Sequence, residues 1–169
     1  LIKQALVSTE DEYFYDHPGI VPKALIRATV SDLTGIGGSS GGSTITQQLI
    51  KQQVLTSEAS YKRKAPEILI AMRTEKFFSK EEILNDYLNV SPFGRNNKGE
   101  NVAGIEEAAL GVFNVHANEV TLPQAAFLAG LPQSPIEYTP YTNDGQFKES
   151  FEAGLSRKDD VLFNMYREN

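Results

Sequence analysis

Apolar residues recur at three- and four-residue intervals through most of this 169-residue chain, and no stretch alternates apolar and polar residues convincingly. A period near 3.6 is that of amphipathic helices, whereas half-buried strands show a period of 2. The chain therefore reads as all-α. The periodicity predicts helices over residues 1–8, 22–33, 43–54, 63–78, 79–88, 101–113, 121–130 and 152–167. Pro22 falls in a first turn, where a missing N–H costs little. Ser79-Lys80-Glu81-Glu82 and Thr121-Leu122-Pro123-Gln124 have the spacing of capping boxes. Pro66 must lie near the start of its helix or kink it. Residues 55–61 and 91–100 read as loops, and Pro132, Pro135 and Pro140 hold 131–146 irregular. Thr34 to Gly42 has five glycines and two serines in nine residues, so 34–42 is expected to be a flexible loop. No internal repeat or linker divides the chain, which predicts a single domain over 1–169.

The chain has no cysteine, which excludes disulfide scaffolds, Cys-ligated metals and thiol nucleophiles. Two histidines make a multi-histidine metal centre a poor fit. A net charge of −6 argues against nucleic acid as a partner. No apolar run approaches the roughly 18 residues of a membrane span. Leu1 stands where a complete chain would have Met, so the sequence reads as a piece of a longer one.

Three segments carry chemistry. In the helix after the glycine loop, Thr44, Gln47, Gln48 and Lys51 share one stripe, flanked by Ile45 and Leu49 on one side and Ile50 and Val54 on the other. This is either the solvated face of an amphipathic helix or the floor of a groove. Ser43 and Thr44 open the helix, where free N–H groups favour anions. Glu67 is the lone acid in an apolar run, so it forms either a buried salt bridge or a site carboxylate. Residues 39–67 hold four basic residues (Lys51, Lys62, Arg63, Lys64) against two acidic ones (Glu58, Glu67). That local +2 leaves −8 on the remainder: a basic island suited to a phosphate, or a plain solvated charge run. Glu10, Asp11 and Glu12 stand at a helix end beside Tyr13, Phe14 and Tyr15. Aromatic surroundings can suit a carboxyl to general acid or base work. His17 before Pro18-Gly19 reads first as a turn residue bonded to backbone, and the three aromatics as packing.

These segments together resemble the glycosyltransferase domain of class A penicillin-binding proteins and monofunctional peptidoglycan glycosyltransferases (glycosyltransferase family 51). Glu10, Asp11, Phe14, His17 and Gly19 match the family's first motif, E-D-x-x-F-x-x-H-x-G. Gly41 to Gln48 and Lys51 match the second, Arg63, Lys64 and Glu67 the third, and Lys80, Glu82 to Leu84 and Tyr87 to Asn89 the fourth. Leu128 to Pro135, with Tyr138 and Pro140, resembles the last. The matches keep family order over residues 1–140.

The resemblance implies a lysozyme-like all-α fold with a large lobe and a smaller membrane-proximal lobe. It implies polymerisation of lipid II, the undecaprenyl-diphosphate disaccharide-pentapeptide, into β1→4 glycan strands during bacterial cell-wall synthesis, with moenomycin as an inhibitor. Glu10 is then the general base, and Glu67 assists near the diphosphate, directly or through Mg²⁺ or Mn²⁺. No organic cofactor is implied. Ser43, Thr44, Gln47, Gln48, Lys51, Arg63 and Lys64 become substrate contacts, and Asp11, His17 and Asn89 supporting residues. The resemblance also implies an N-terminal membrane anchor, a location on the extracytoplasmic face of the cell membrane, and a C-terminal transpeptidase domain in the class A case. The sequence departs from the family at Ala59, where many members carry Arg, at Gln52, where Asn is usual, and at Pro66. Arg63 or Lys62 is expected to replace the absent Arg. A lysozyme-like glycan hydrolase and a non-catalytic glycan- or lipid II-binding module are the alternatives.

Overall fold

The computed structural model describes residues 1–27, 42–55 and 61–168, with backbone only at 61 and 62. The expected loop at 34–42, apart from Gly42, lies outside the described residues. So do the end of the helix beginning at residue 22, the connection at 56–60, and Ala59. The described elements are α1 (Ile2–Glu10), a helical stretch over 22–27, α2 (Ile45–Gln53), α3 (Tyr61–Phe77), α4 (Lys80–Val90), β1 (Pro92–Arg95), β2 (Asn101–Ala103), α5 (Ile105–Phe113), α6 (Leu122–Gly130), a 3₁₀ turn (Leu131–Gln133), α7 (Pro135–Tyr138) and α8 (Glu152–Arg167). The fold is mostly helical, as the periodicity predicts and as an all-α, lysozyme-like domain requires.

The chain forms two compact units. One comprises Glu10–Tyr87. Its core is built from Phe14, Ile45, Leu49, Ile50, Ala71, Ile83, Leu84 and Tyr87, all buried. α2 packs along α3. Thr44 opens α2 with a full capping box: its hydroxyl accepts the Gln47 N–H at 3.1 Å, and Gln47 Oε1 accepts the Thr44 N–H at 3.1 Å. α4 starts in the same way, with the Ser79 N–H and hydroxyl donating to Glu82 Oε2, each at 2.8 Å. These bonds hold the Glu82 carboxyl below its ordinary pKa, the backbone N–H contributing most. Pro66 lies inside α3, which runs on through it.

The other unit comprises Leu1–Thr9 and Leu88–Asn169. α6 is buried from Ala125 to Gly130, apolar all round, as a central helix must be. α8 packs against it, closely enough that a Cβ on Gly130 would meet the Arg157 side chain at 2.8 Å. Three sequence expectations fail in this unit. Residues 91–100 are not only a loop, and helix does not begin at 101. β1 and β2 pair antiparallel, Pro92 opposite Ala103 and Arg95 opposite Asn101, with a bulge between. Glycines at positive φ make the turns, Gly99 at +79° and Gly104 at +90°. Thr139 fastens β1 from outside, its hydroxyl accepting the Arg95 N–H at 3.1 Å. Residues 131–146 are likewise more regular than expected, forming the 3₁₀ turn, α7 and a bridge between Tyr141 and Phe147. Among the described residues no helix is long and apolar enough to cross a membrane.

Candidate active site

The motif residues of the Glu10–Tyr87 unit converge on α2. Glu10 ends α1 and is half-buried. Its Oε2 accepts a hydrogen bond from Gln48 Nε2 at 3.0 Å, and Gln48 Oε1 accepts one from the Tyr87 hydroxyl at 2.9 Å. Next along the chain, Asp11 is buried and turned the other way. Its Oδ2 accepts the N–H of Ile45, the first residue of α2, at 2.9 Å. A carboxylate there meets an unpaired donor and the positive end of the helix dipole.

His17 is also buried, and its Nε2 lies 2.8 Å from Asp11 Oδ2. Its Nδ1 accepts the Gly19 N–H at 3.0 Å, so the ring proton sits on Nε2 and points at Asp11. The expectation of a turn histidine bonded to backbone holds. Gly19 sits at φ +94°, and a Cβ there would lie 2.8 Å from the Ala71 carbonyl oxygen on α3. Its own carbonyl accepts the Thr44 hydroxyl at 2.7 Å. Asp11, His17, Gly19 and Thr44 thus join the 11–19 turn to the start of α2.

At that start, Lys64 on α3 donates to Ser43 Oγ at 2.9 Å and to Glu67 Oε1 at 2.5 Å. Glu67 is 3% exposed at its side chain, and Gln47 Nε2 also donates to its Oε1, at 3.2 Å. Of the two readings open for Glu67, the salt bridge is the one present. Lys51 is exposed and Arg63 half-buried.

The polar stripe of α2 is neither a uniformly solvated face nor a bare groove floor. Thr44 and Gln47 are 2% and 0% exposed, and their polar groups are taken up by the capping box, Gly19 and Glu67. Those bonds tie the start of α2 to the 11–19 turn and to α3. Ser43, Gln48, Lys51 and Lys64 keep exposed surface. Asn89 is exposed and belongs to the other unit. Of the aromatics expected to pack, Phe14 does, whereas Tyr13 and Tyr15 are each 54% exposed. Burial of its ring, and then Glu81 beside its hydroxyl, push the Tyr15 pKa up.

Glu75 is a member of the cluster that sequence reasoning missed. Its side chain is 7% exposed; Oε1 accepts the Thr46 hydroxyl and Oε2 the Lys80 ammonium, each at 2.5 Å. Lys80 also donates to the His17 carbonyl at 2.7 Å and stands 4.6 Å from the Phe14 ring centroid. The signal available was a motif lysine on one helix and an acid near the end of the preceding one, which does not disclose that the two meet.

Glu67 is the carboxylate expected to act directly or through Mg²⁺ or Mn²⁺. The oxygen facing the cluster already accepts an ammonium and an amide. Among the described residues no three His, Cys, Asp or Glu side chains are grouped to hold an ion. The arrangement offers a half-buried carboxylate held by an amide and, at the N-terminal end of the same helix, a lysine and a serine hydroxyl.

The transglycosylase family matches residues 1–166. Penicillin-binding protein 1A of Clostridium perfringens (strain 13 / Type A) is 40% identical over 169 residues, which is 98% of this chain and 24% of the relative. Penicillin-binding protein 1A of Clostridium botulinum (strain Langeland) is 42% identical over 168 residues, 97% of this chain and 20% of the relative. Penicillin-binding protein 1F of Bacillus subtilis (strain 168) is 36% identical over 159 residues, 94% of this chain and 22% of the relative. The chain thus spans less than a quarter of the length of these relatives. A match over nearly all its residues, joined to the clustered motif side chains, decides the assignment: the chain belongs to the transglycosylase family.

Proposed function

We propose that this domain is a peptidoglycan glycosyltransferase that polymerises lipid II. One observation carries the reading. Gln48 on α2 holds Glu10, and Ser43, just before the Thr44 cap of the same helix, accepts a hydrogen bond from Lys64. A base and a cation, each held by a side chain of the segment that opens and forms α2, can serve the two ends of a single displacement at a sugar carbon bearing a diphosphate.

In this reading Glu10 removes the proton from the 4-hydroxyl of the acceptor GlcNAc. That oxygen attacks C1 of the donor MurNAc from the face opposite the diphosphate. The new C–O bond forms as the C1–O bond to phosphate breaks, so configuration inverts and a β1→4 link results. Undecaprenyl diphosphate leaves with the bonding electrons. Lys64, Lys51, Arg63 and the hydroxyl of Ser43 meet the growing negative charge, and cations held in place before the reaction lower its barrier most. Glu67 fixes Lys64 from behind. Thr44, Gln47, Asp11 and His17 hold α2 to its neighbours. A divalent ion bound at Glu67 would add positive charge beside the leaving diphosphate.

Lipid II is anchored in the membrane, so the domain works at the extracytoplasmic face of the cell membrane. An N-terminal anchor and a transpeptidase domain, as in class A penicillin-binding proteins, are the partners proposed within the whole protein. The test is to offer the protein lipid II and, separately, finished glycan. Polymer from lipid II, abolished by Glu10→Gln, is expected. Fragments released from glycan with no polymer from lipid II would reassign it as a hydrolase.

A further inference from the structure

The line of hydrogen bonds ending at Glu10 begins at a residue that the reaction above leaves without a role. Tyr87 lies on α4 with its side chain fully buried, and its hydroxyl donates to Gln48 Oε1 at 2.9 Å. Gln48 Nε2 donates in turn to Glu10 Oε2 at 3.0 Å. The direction of this line is set at its far end. A carboxylate only accepts, so the amide must show Glu10 its nitrogen and Tyr87 its oxygen, and the phenol must donate. Packing alone does not ask for that phenol, since phenylalanine would fill the same core.

Glu10 gains little steadiness from its own helix. It is the last residue of α1, where the dipole presents negative charge and repels a carboxylate. Gln48 has three side-chain torsions to fix. Bound at one end only, its amide swings; bound at both, it is clamped between α4 and Glu10. We propose that Tyr87 is a positioning residue, whose hydroxyl locks the Gln48 amide and through it aims the Glu10 carboxylate. The proposal rests on the reading of Glu10 as the general base. Tyr87 touches no substrate in this scheme. Its effect falls on how often the carboxylate is correctly aimed when the acceptor is bound, and so on kcat.

Steady-state lipid II polymerisation is compared in the intact protein for wild type, Tyr87→Phe, Gln48→Ala and the double variant, with Glu10→Gln as control. Tyr87→Phe is expected to lower kcat about tenfold, the scale of one hydrogen bond's share of a barrier. KM should stay within about twofold, since uniform binding is untouched. In the Gln48→Ala background the same change should add nothing, because the proposed role of the hydroxyl runs through that amide. Wild-type kcat in Tyr87→Phe overturns the proposal, as do two losses that simply multiply in the double variant. If Glu10→Gln is inactive while Tyr87→Phe behaves as wild type, the Tyr87 role fails and the base stands. If Glu10→Gln polymerises normally, the base reading fails and takes the positioning role with it.

Discussion

The Asp11 carboxylate accepts the backbone N–H of Ile45 at 2.9 Å, across 34 residues of sequence. The same oxygen meets the His17 ring. One buried side chain thus ends the turn that follows Glu10 and begins the helix that carries Gln48. Its neighbour Glu10 instead accepts from Gln48, so two adjacent acids hold different parts of α2, and in the proposed reaction only Glu10 does chemistry.

Replacing Asp11 should therefore unfold the domain more readily before it alters chemistry. Asp11→Ala leaves the His17 Nε2–H and the Ile45 N–H without their acceptor, each costing about 1–3 kcal/mol when buried. A loss of about 3 kcal/mol in urea unfolding is expected. Asp11→Asn can keep an oxygen in the place of Oδ2, where both donors meet it, but sets an NH₂ in the place of Oδ1 against the His17 Nε2–H, so its loss should be smaller but still measurable. An Asp11→Ala domain as stable as wild type would show that water replaces the carboxylate.

Gly19 admits no side chain. Its φ of +94° is strained for any other residue, and a Cβ would lie 2.8 Å from the Ala71 carbonyl oxygen. Backbone on both sides cannot yield cheaply. Gly19→Ala should cost about 2–3 kcal/mol, strain and displacement together. The Thr44 hydroxyl donates to the Gly19 carbonyl, so the shift reaches the cap of α2. Denaturant midpoint and lipid II polymerisation should fall together; a fall in neither would refute this account of the turn.

Helices were legible because each carries its own evidence: three- and four-residue spacing, and caps such as Thr44 with Gln47 and Ser79 with Glu82. The site residues were legible as motif positions. Their partners were not. β1 and β2 have four and three residues, too few for alternation to register, and their turns rest on glycine conformations and on Thr139 far along the chain. Glu75 looks like any acid on the polar side of a helix, yet it is buried between Thr46 and Lys80. Thr44 and Gln47 read as open stripe positions because periodicity places residues on a face without telling what covers it. Long-range pairing decides all of these, and no local pattern encodes it.

The ion pair behind the cation is the next target. Lys64→Met leaves Glu67, 3% exposed, with the Gln47 amide and no ammonium at its Oε1. Stripping one partner from a buried pair costs about 3–5 kcal/mol. The Lys64 side chain is 38% exposed, so solvent screening brings the expected loss nearer to about 2 kcal/mol. Adding Glu67→Gln removes the stranded charge and should restore most of that stability, while polymerisation stays lost in both variants. Unfolding curves that show no recovery in the double variant would mean that Lys64 does not compensate Glu67.

In the other unit, His116 Nδ1 bonds Glu106 on the first turn of α5, and Glu106 also accepts the Ala117 N–H at 2.9 Å. The hydrogen bond to Glu106, and then its charge, raise the His116 pKa above the ordinary 6.5. The same bond, followed by that from Ala117, lowers the Glu106 pKa below 4.5. A raised histidine pKa gives stability that is fully present below the unfolded value and lost as pH climbs through the folded one. A lowered carboxyl pKa gives stability present above the unfolded value and lost as pH falls through the folded one. The contribution of the pair should therefore be greatest between about pH 4.5 and 6.5 and fade on both sides. Both groups are solvent-exposed, so the effect on the whole domain is small and is best read at the histidine itself. An NMR titration should place the His116 midpoint above 6.5, with Glu106→Gln moving it back down. A midpoint that Glu106→Gln leaves in place would show that the pair does not persist in solution.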